Sequence, residues 1–172
     1  DAGDGRIIGG SQDNGTIYFQ DTGVLQNPQF TDGLEICSGD GSYGYLGQNY
    51  AYTSLQFGRT RRANYLDADQ DEIQTHLSFQ LVNVGPPPAA NTNNLFYIHP
   101  YVIDPNDETV MYFPEGNILW RNFNIESNNP LATWTKLNNI TAPSNYNITS
   151  LAISHSPAHI LYFGASHSSL SP

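Results

Sequence analysis

The sequence is poor in charged residues, and basic side chains are scarcest. Lysine and arginine together number 6 against 16 aspartates and glutamates, which gives a formal net charge of −10, and Lys136 is the single lysine. A surface of this sign repels phosphate backbones and anionic headgroups. We therefore expect no nucleic-acid partner and no membrane insertion. Solubility alone is the simpler explanation of the acidic surface.

Cysteine and long apolar runs are also scarce. Cys37 is the one cysteine, so no disulfide can form within the chain, and it lies in the apolar run Leu34-Glu35-Ile36-Cys37. No basic or histidine neighbour is evident, so we expect a buried structural thiol rather than a nucleophile. The sequence shows neither a membrane-length apolar run nor a signal peptide, and a processed secreted protein would look the same. The acidic, aromatic, lysine-poor composition favours a secreted or cell-surface protein.

Aromatic and β-branched residues between polar turns dominate what the sequence does contain. It has 11 tyrosines and 8 phenylalanines in 172 residues. No run of ten residues keeps a helical period without interruption by Gly, Pro or Asn. This pattern predicts an all-β fold of many short strands, and the length suits one domain.

One strand-turn-strand segment recurs along the chain. Val110-Met111-Tyr112-Phe113 is β-branched and aromatic, Gly116-Asn117 marks a reverse turn, and Ile118-Leu119-Trp120 resumes the apolar run. Residues 160–163 repeat the first of these strands 50 positions later. Looser copies occur at residues 6–11 and 50–54.

The spacing of these copies predicts a repeat protein. Ile8 lies 44 residues before Tyr52, which lies 60 residues before Tyr112. Periods of about 40–50 residues with four short strands each indicate the blades of a β-propeller. The predicted repeat units are 1–30, 31–90, 91–138 and 139–172, with no independent second domain.

A hairpin is predicted near the start of the chain. Strands on both sides flank Asp13-Asn14-Gly15. Asn-Gly is typical of the type I′ turn, because both of its central residues need a positive φ.

The pattern resembles the β-propellers with BNR or Asp-box repeats, the group that includes sialidases, xyloglucanases and sortilin. Val102-Ile103-Asp104-Pro105-Asn106-Asp107 matches the inner strand and turn of such a blade, and the strands Met111-Tyr112-Phe113 and Ile118-Leu119-Trp120-Arg121 follow. Ser127-Asn128-Asn129-Pro130-Leu131-Ala132-Thr133-Trp134 fits the Asp-box frame S-x-D-x-G-x-T-W. Gly9-Gly10-Ser11-Gln12-Asp13-Asn14-Gly15-Thr16 is typical of secreted bacterial members.

The resemblance implies a structural role for Ser127, Asn129 and Trp134. In that family the acidic or amide side chain of the box accepts backbone N–H bonds in its turn, and the Trp packs between sheets. Asn129 replaces the usual Asp, and Leu131 replaces the usual Gly.

The resemblance also implies an incomplete propeller. At about 50 residues per blade the chain makes roughly three to four blades, and closed propellers need at least four. We therefore expect a segment whose remaining blades come from a longer chain or from a partner chain, because open strand edges would otherwise be exposed.

The irregular turn at residues 38–44 supplies the candidate ligand-binding residues. Asp40 follows a predicted strand, Tyr43 lies in the same turn, and Asp13 lies in the first hairpin. If that strand is the innermost of its blade, this turn faces the central pocket. Asp13, Asp40 and Tyr43 are then ligand-binding candidates, and Asp40 is the weak candidate for a catalytic carboxylate. Turn formation is the simpler explanation of both aspartates.

A calcium loop is the one cofactor site that the sequence suggests. Asp67, Asp69 and Asp71 place carboxylates at alternate positions, but Glu72 stands where an EF-hand needs Gly. A solvated acidic loop is the simpler interpretation. His155 and His159 flank Pro157, so no helix aligns them for zinc. N-x-T sequons begin at Asn14, Asn139 and Asn147.

Three functions remain open at this point. The first is a non-catalytic extracellular or cell-surface module that binds a glycan or a protein. The second is a glycoside hydrolase of the xyloglucanase or sialidase kind, with catalytic residues partly outside this segment, although no acid and base pair can be assigned. The third is a structural scaffold within a larger secreted protein.

Overall fold

The computed structural model describes residues 5–20, 33–64 and 80–170. Within these ranges the regular structure consists of thirteen β-strands and four short 3₁₀ turns, with no α-helix. The all-β prediction is confirmed. The strands form separate antiparallel sheets of three, four, four and two strands. The chain divides into two compact units, Asp1–Asn83 and Val84–Pro172.

The first unit begins with a three-stranded sheet, ordered β1-β2-β3, and continues into a four-stranded one, ordered β4-β5-β6-β7. The three strands of the first sheet are β1 (Arg6–Ser11), β2 (Gly15–Gln20) and β3 (Leu34–Cys37). Those of the second are β4 (Gly44–Leu46), β5 (Tyr50–Ser54), β6 (Thr60–Asn64) and β7 (Leu81–Gly85), and the boundary between the two units falls within β7. Tyr18, Leu34, Ile36, Ala51 and Ala63 form a buried cluster in this part of the chain. Burial of each large aliphatic side chain in it stabilises the folded state by about 1.5–3 kcal/mol.

The second unit contains a four-stranded meander and a two-stranded ribbon. The meander has the order β11-β10-β9-β8, and its strands are β8 (Val102–Asp104), β9 (Asp107–Glu115), β10 (Ile118–Asn122) and β11 (Trp134–Thr141). The ribbon pairs β12 (Tyr146–Ile153) with β13 (Leu161–His167). Leu119, Ala142 and Ile148 form a buried hydrophobic cluster in this unit.

The strand-turn-strand prediction at residues 110–121 is confirmed. Glu115 pairs with Ile118, which leaves the two-residue turn Gly116-Asn117, and Gly116 has φ +57°. The 50-residue offset also appears in strand pairing. Ile103 opposes Met111 in the β8–β9 hairpin, and 50 residues later Ile153 opposes Leu161 in the β12–β13 hairpin.

The first hairpin forms where it was predicted, but its turn is not type I′. Ser11 pairs with Gly15, so the loop holds three residues, and positive φ occurs at Asp13 and Gly15 rather than at Asn14. Tertiary packing explains the difference. The Gly15 N–H donates to the Gly39 carbonyl at 2.7 Å, and a Cβ on Gly15 would lie 2.3 Å from the Cys37 carbonyl oxygen.

The turn in the Asp-box frame is held by a residue outside the frame. The amide of Asn122 is fully buried; its Oδ1 accepts from the Asn124 N–H at 2.9 Å and the Thr133 hydroxyl at 2.6 Å, and its Nδ2 donates to the Pro130 carbonyl. Asn129 makes no side-chain capping bond and is exposed. This corrects the expectation that Asn129 supplies the acceptor, because Asn122 already fills that role.

The side chain of Trp134 is held by one hydrogen bond and one aromatic contact. Its Nε1 donates to the Val84 carbonyl at 2.8 Å, and its ring meets the Phe113 ring edge-on at 5.9 Å between centroids. Ser127 contributes a backbone N–H to the same turn, since it donates to the Asn124 carbonyl at 3.2 Å.

Candidate functional site

The sequence-predicted aspartates lie together, and Asp40 is held by the protein. Asp40 is buried; its Oδ1 accepts from the Asp13 N–H at 2.8 Å, and its Oδ2 accepts from the Gln56 amide. The side chain of Asp13 is exposed. These contacts favour the turn-forming explanation of Asp40 over the ligand-binding or catalytic one.

The turn at residues 38–44 is packed closely onto the first hairpin. The Gly41 N–H donates to the Ser11 carbonyl at 3.0 Å, and a Cβ on Gly41 would lie 1.9 Å from the Gly15 carbonyl oxygen. Only glycine permits this approach of two backbones. Tyr43, in the same turn, is 45% exposed, while its carbonyl accepts from the backbone and hydroxyl of Ser54.

Cys37 is buried, as predicted, but it has a basic neighbour. The guanidinium Nη1 of Arg61 lies 3.6 Å from the Cys37 sulfur. This corrects the expectation that no basic group approaches the thiol. Arg61 lies on β6 and Cys37 on β3, two strands of different sheets, so only tertiary packing brings the two residues together.

No metal centre is evident in the part of the chain that the structure describes. Within it, no group of three or more His, Cys, Asp or Glu side chains could hold a metal ion. The calcium candidates Asp67, Asp69 and Asp71 lie outside the described residues, so that prediction stays a prediction.

His159 contacts a carboxylate and not a second histidine. Its Nδ1 lies 2.7 Å from Oδ2 of Asp104, a buried carboxylate that also accepts from the backbone and side-chain amides of Asn106. Burial by itself would raise the pKa of Asp104, but the bonds from His159 and Asn106 outweigh it and lower that pKa. The bond joins the end of β8 to the turn before β13, which makes it a structural cross-link.

A small surface cavity lies in the second unit. Its volume is about 220 Å³, less than the roughly 300–1,000 Å³ of pockets for drug-sized ligands. Its lining consists of three amides, one hydroxyl-bearing residue and two apolar residues: Asn93, Asn94, Asn147, Ser168, Leu95 and Phe96. None of these six described residues is charged.

Local sequence explains how the amides are positioned. Asn91 caps a 3₁₀ turn at Thr92–Asn94, and its side chain accepts from the Asn93 N–H at 3.1 Å. The Asn94 carbonyl accepts from Gly116, whose own carbonyl accepts from Ile148 at 2.8 Å. Gly116 therefore connects the two sides of the cavity, because Asn147 directly precedes Ile148.

A buried carboxylate supports this rim from behind. Glu115 accepts from the Asn91 N–H at 3.0 Å and from the Asn94 side-chain amide at 3.4 Å through Oε1, and from the Trp120 indole at 2.8 Å through Oε2. A carboxylate only accepts, so the Asn94 Nδ2 must face Glu115. The Asn94 Oδ1 is then the atom available to a ligand hydroxyl.

The apolar side of the cavity rests on a buried histidine. The Phe96 N–H donates to His99 Nδ1 at 3.1 Å, so the proton of the neutral ring is on Nε2, which donates to the Pro114 carbonyl at 2.8 Å. The His99 ring packs between those of Phe96 and Phe113. Phe96 is therefore fixed in direction as well as in position.

The cavity is suited to a small, neutral and polar molecule. Side-chain amides donate and accept at once, which matches adjacent hydroxyl groups, and Leu95 and Phe96 offer an apolar contact. The sequence-predicted residues Asp13, Asp40 and Tyr43 do not line it. The sequence analysis did not predict this site, although the amide-rich run Asn91-Thr92-Asn93-Asn94 was a usable signal.

Comparison with known proteins adds no relative. No protein-family model, no curated protein and no solved structure matches this chain. Among the described residues, no helix has the length and apolar character needed to cross a membrane.

Proposed function

We propose that this chain is a non-catalytic glycan-binding module of the cell exterior, built from blades of a β-propeller of the BNR/Asp-box kind. Two antiparallel four-stranded sheets with strands in sequential order support the blade assignment, because that is the make-up of a propeller blade. The repeat of one hairpin register at a 50-residue offset supports it further.

The neutral cavity carries the functional part of the proposal. Its three amides and Ser168 offer hydrogen bonds without charge, and Leu95 and Phe96 add an apolar wall. A single sugar ring combines hydroxyl groups and a C–H face in a similar volume, so it fits both parts of the lining.

Binding is favoured over hydrolysis by the carboxylates near the two candidate sites. Glycoside hydrolysis needs a pair of carboxylates that face each other across the bond to be cleaved. Asp40 accepts from Gln56 and Asp13, and Glu115 accepts from Trp120, Asn91 and Asn94. Neither belongs to a pair that faces the cavity.

The proposal can be tested with a panel of neutral and acidic glycans. Both binding and hydrolysis are measured with the intact chain. We expect binding of a neutral glycan without turnover, weakened about tenfold by Asn147→Ala, since one lost hydrogen bond costs about 1–1.5 kcal/mol. Asn139→Ala is the matched control, because Asn139 is exposed on β11 and does not line the cavity. Turnover of any glycan, or equal binding by both variants, would contradict the proposal.

A further inference from the structure

The apolar cluster of the first unit continues into a polar layer. Tyr18 on β2 and Ala51 on β5 belong to the cluster, and side chains two residues apart on a strand lie on the same face. Thr16 and Thr53 therefore extend the cluster, and both are fully buried. The β2 strand pairs with β1 without interruption from Gly15 to Gln20, so the register shift between β2 and β3 does not alter this alternation.

Two glycines show that the threonine-bearing faces of the two sheets approach each other. Gly10 opposes Thr16 in the β1–β2 ladder, and Gly44 opposes Thr53 in the β4–β5 ladder. Opposed residues of an antiparallel pair share a face. A Cβ on Gly10 would lie 2.1 Å from the Ser42 carbonyl oxygen, and a Cβ on Gly44 would lie 3.1 Å from a side-chain carbon of β1. The polar layer thus lies between the two sheets.

Three hydroxyl groups of this layer have no hydrogen-bond partner in the described part of the chain. They belong to Thr16, Ser42 and Thr53. Ser42 lies against Gly10, and its N–H donates to the carbonyl of Ser54, the residue after Thr53. A buried hydroxyl without a partner destabilises a fold, and native proteins satisfy such groups with water or an ion. Three of them in one layer indicate a bound species.

A guanidinium group brings positive charge to the same layer. Arg61 opposes Thr53 in the β5–β6 ladder, and Cys37 opposes Thr16 in the β2–β3 ladder. The contact of 3.6 Å between Arg61 Nη1 and the Cys37 sulfur joins the two ladders. Arg61 is half-buried, and no carboxylate of the described residues contacts it. Its charge therefore lacks a protein anion within this part of the chain.

We propose that the polar layer binds a small monovalent anion of the size of chloride, held by the Arg61 guanidinium and by the hydroxyls of Thr16, Ser42 and Thr53. All four groups can donate a hydrogen bond, which suits an anion. The guanidinium would repel a cation, and water would leave its charge unpaired. The close approach of the backbones at Gly10 favours a single atom over a larger oxyanion.

The buried carboxylate in this region has donors of its own. Asp40 accepts from the Asp13 N–H and from the Gln56 amide, so it does not take the place of the anion. The site lies in the first unit, and the inference does not depend on the glycan cavity.

Thermal unfolding of the intact chain in two salts tests the proposal. Sodium chloride is compared with sodium methanesulfonate, whose anion is larger, at the same ionic strength, so that general screening is equal. We expect chloride to raise the unfolding temperature by about 2–4 °C, because an anion that binds only the folded chain stabilises it. The same unfolding temperature in both salts would overturn the proposal and would leave water as the partner of the hydroxyls.

Two arginine variants locate the charge that holds the anion. Arg61→Gln should lose the chloride-dependent rise in unfolding temperature. Arg121→Gln is the matched control and should keep this rise, because it removes the same charge from an exposed position on β10. Equal chloride responses in the two variants would contradict the site.

Two threonine variants test the hydroxyls. Thr53→Val removes an unpartnered hydroxyl with little change of shape, so it should be as stable as the unmodified chain in methanesulfonate and should lose most of the chloride-dependent rise. Thr60→Val is the control, since Thr60 is equally buried but its hydroxyl donates to the Gly58 carbonyl at 3.1 Å. It should be less stable in both salts and should keep the rise. The opposite pattern would refute a role for Thr53.

Bromide provides a direct measurement if Arg61→Gln does not fold. Crystals of the unmodified chain grown with bromide reveal the anion by its anomalous scattering. We expect a bromide ion within hydrogen-bond distance of the Arg61 guanidinium and the Thr53 hydroxyl. Bromide at other positions alone would show an adventitious ion only and would overturn the proposal.

Discussion

His99 is almost completely enclosed by aromatic rings and backbone groups. Burial lowers its pKa from 6.5 to about 4, although the bond to the Pro114 carbonyl favours the protonated ring. The unfolded chain therefore takes up a proton at a higher pH than the folded chain does. The neutral ring holds Phe96 against the cavity only while that proton is absent.

Stability should depend on pH through His99. The contribution of the neutral ring is fully present above about pH 6.5 and falls as the pH drops towards 4, by about 3 kcal/mol in the free energy of unfolding. Urea denaturation across this range measures it. His99→Gln should be less stable at neutral pH but should lack this part of the pH dependence. An identical pH profile in the variant would contradict the assignment.

Asp40 should contribute to stability rather than to binding. Asp40→Ala leaves the Asp13 N–H and the Gln56 amide without their acceptor, so we expect a loss of about 1–3 kcal/mol in the free energy of unfolding. Asp13→Asn is the matched control and should change it by less than about 0.5 kcal/mol, because its side chain is exposed and Asn tolerates a positive φ. Unchanged stability together with lost glycan binding in Asp40→Ala would restore the ligand-binding hypothesis.

At the scale of elements, the connection between β10 and β11 depends on one amide. Asn122 lies at the end of β10 and bonds to three residues of the connection that follows, Asn124, Pro130 and Thr133. The 3₁₀ turn at Pro130–Thr133 then delivers Trp134 to the start of β11. A single buried side chain thus sets the path of the connection at residues 123–133.

Replacing this amide should disorder the connection. We expect Asn122→Ala to lower the free energy of unfolding by about 2–4 kcal/mol, because three partners lose a hydrogen bond to a buried side chain. Asn129→Ala should lower it by less than about 0.5 kcal/mol. Chemical denaturation of the two variants gives the comparison. A larger effect at Asn129 would restore it as the acceptor of the Asp-box frame.

At the scale of the whole molecule, charge limits the partners. The net charge of −10 is spread over a chain with one lysine, so polyanions meet repulsion before any local contact forms. The neutral cavity is a surface on which this net charge does not act against an uncharged ligand.

Polyanions should therefore not bind. We expect no measurable binding of duplex DNA or of vesicles with anionic lipid at physiological salt, by fluorescence anisotropy and co-sedimentation. Neutral vesicles serve as the control. Salt-sensitive binding of DNA or anionic vesicles would show a local basic surface that the net charge conceals.

The sequence by itself determined the local structure. Gly, Pro and Asn interruptions excluded long helices, and alternating aromatic and β-branched residues predicted strands such as β9 and β10. These signals are short-range, because strand propensity and turn chemistry act over a few residues. The 50-residue repeat that relates Ile103 to Ile153 could also be recognised in the sequence, because a repeated structural unit repeats its pattern of apolar residues.

Only the tertiary structure decided which polar residues are brought together. The turn geometry at Asp13 and the approach of Arg61 to Cys37 both depend on residues that are distant in sequence. The cavity is the clearest case, because Asn94 and Asn147 are 53 residues apart and meet through the backbone of Gly116. Long-range strand pairing sets such contacts, and no local pattern encodes the register between two sheets.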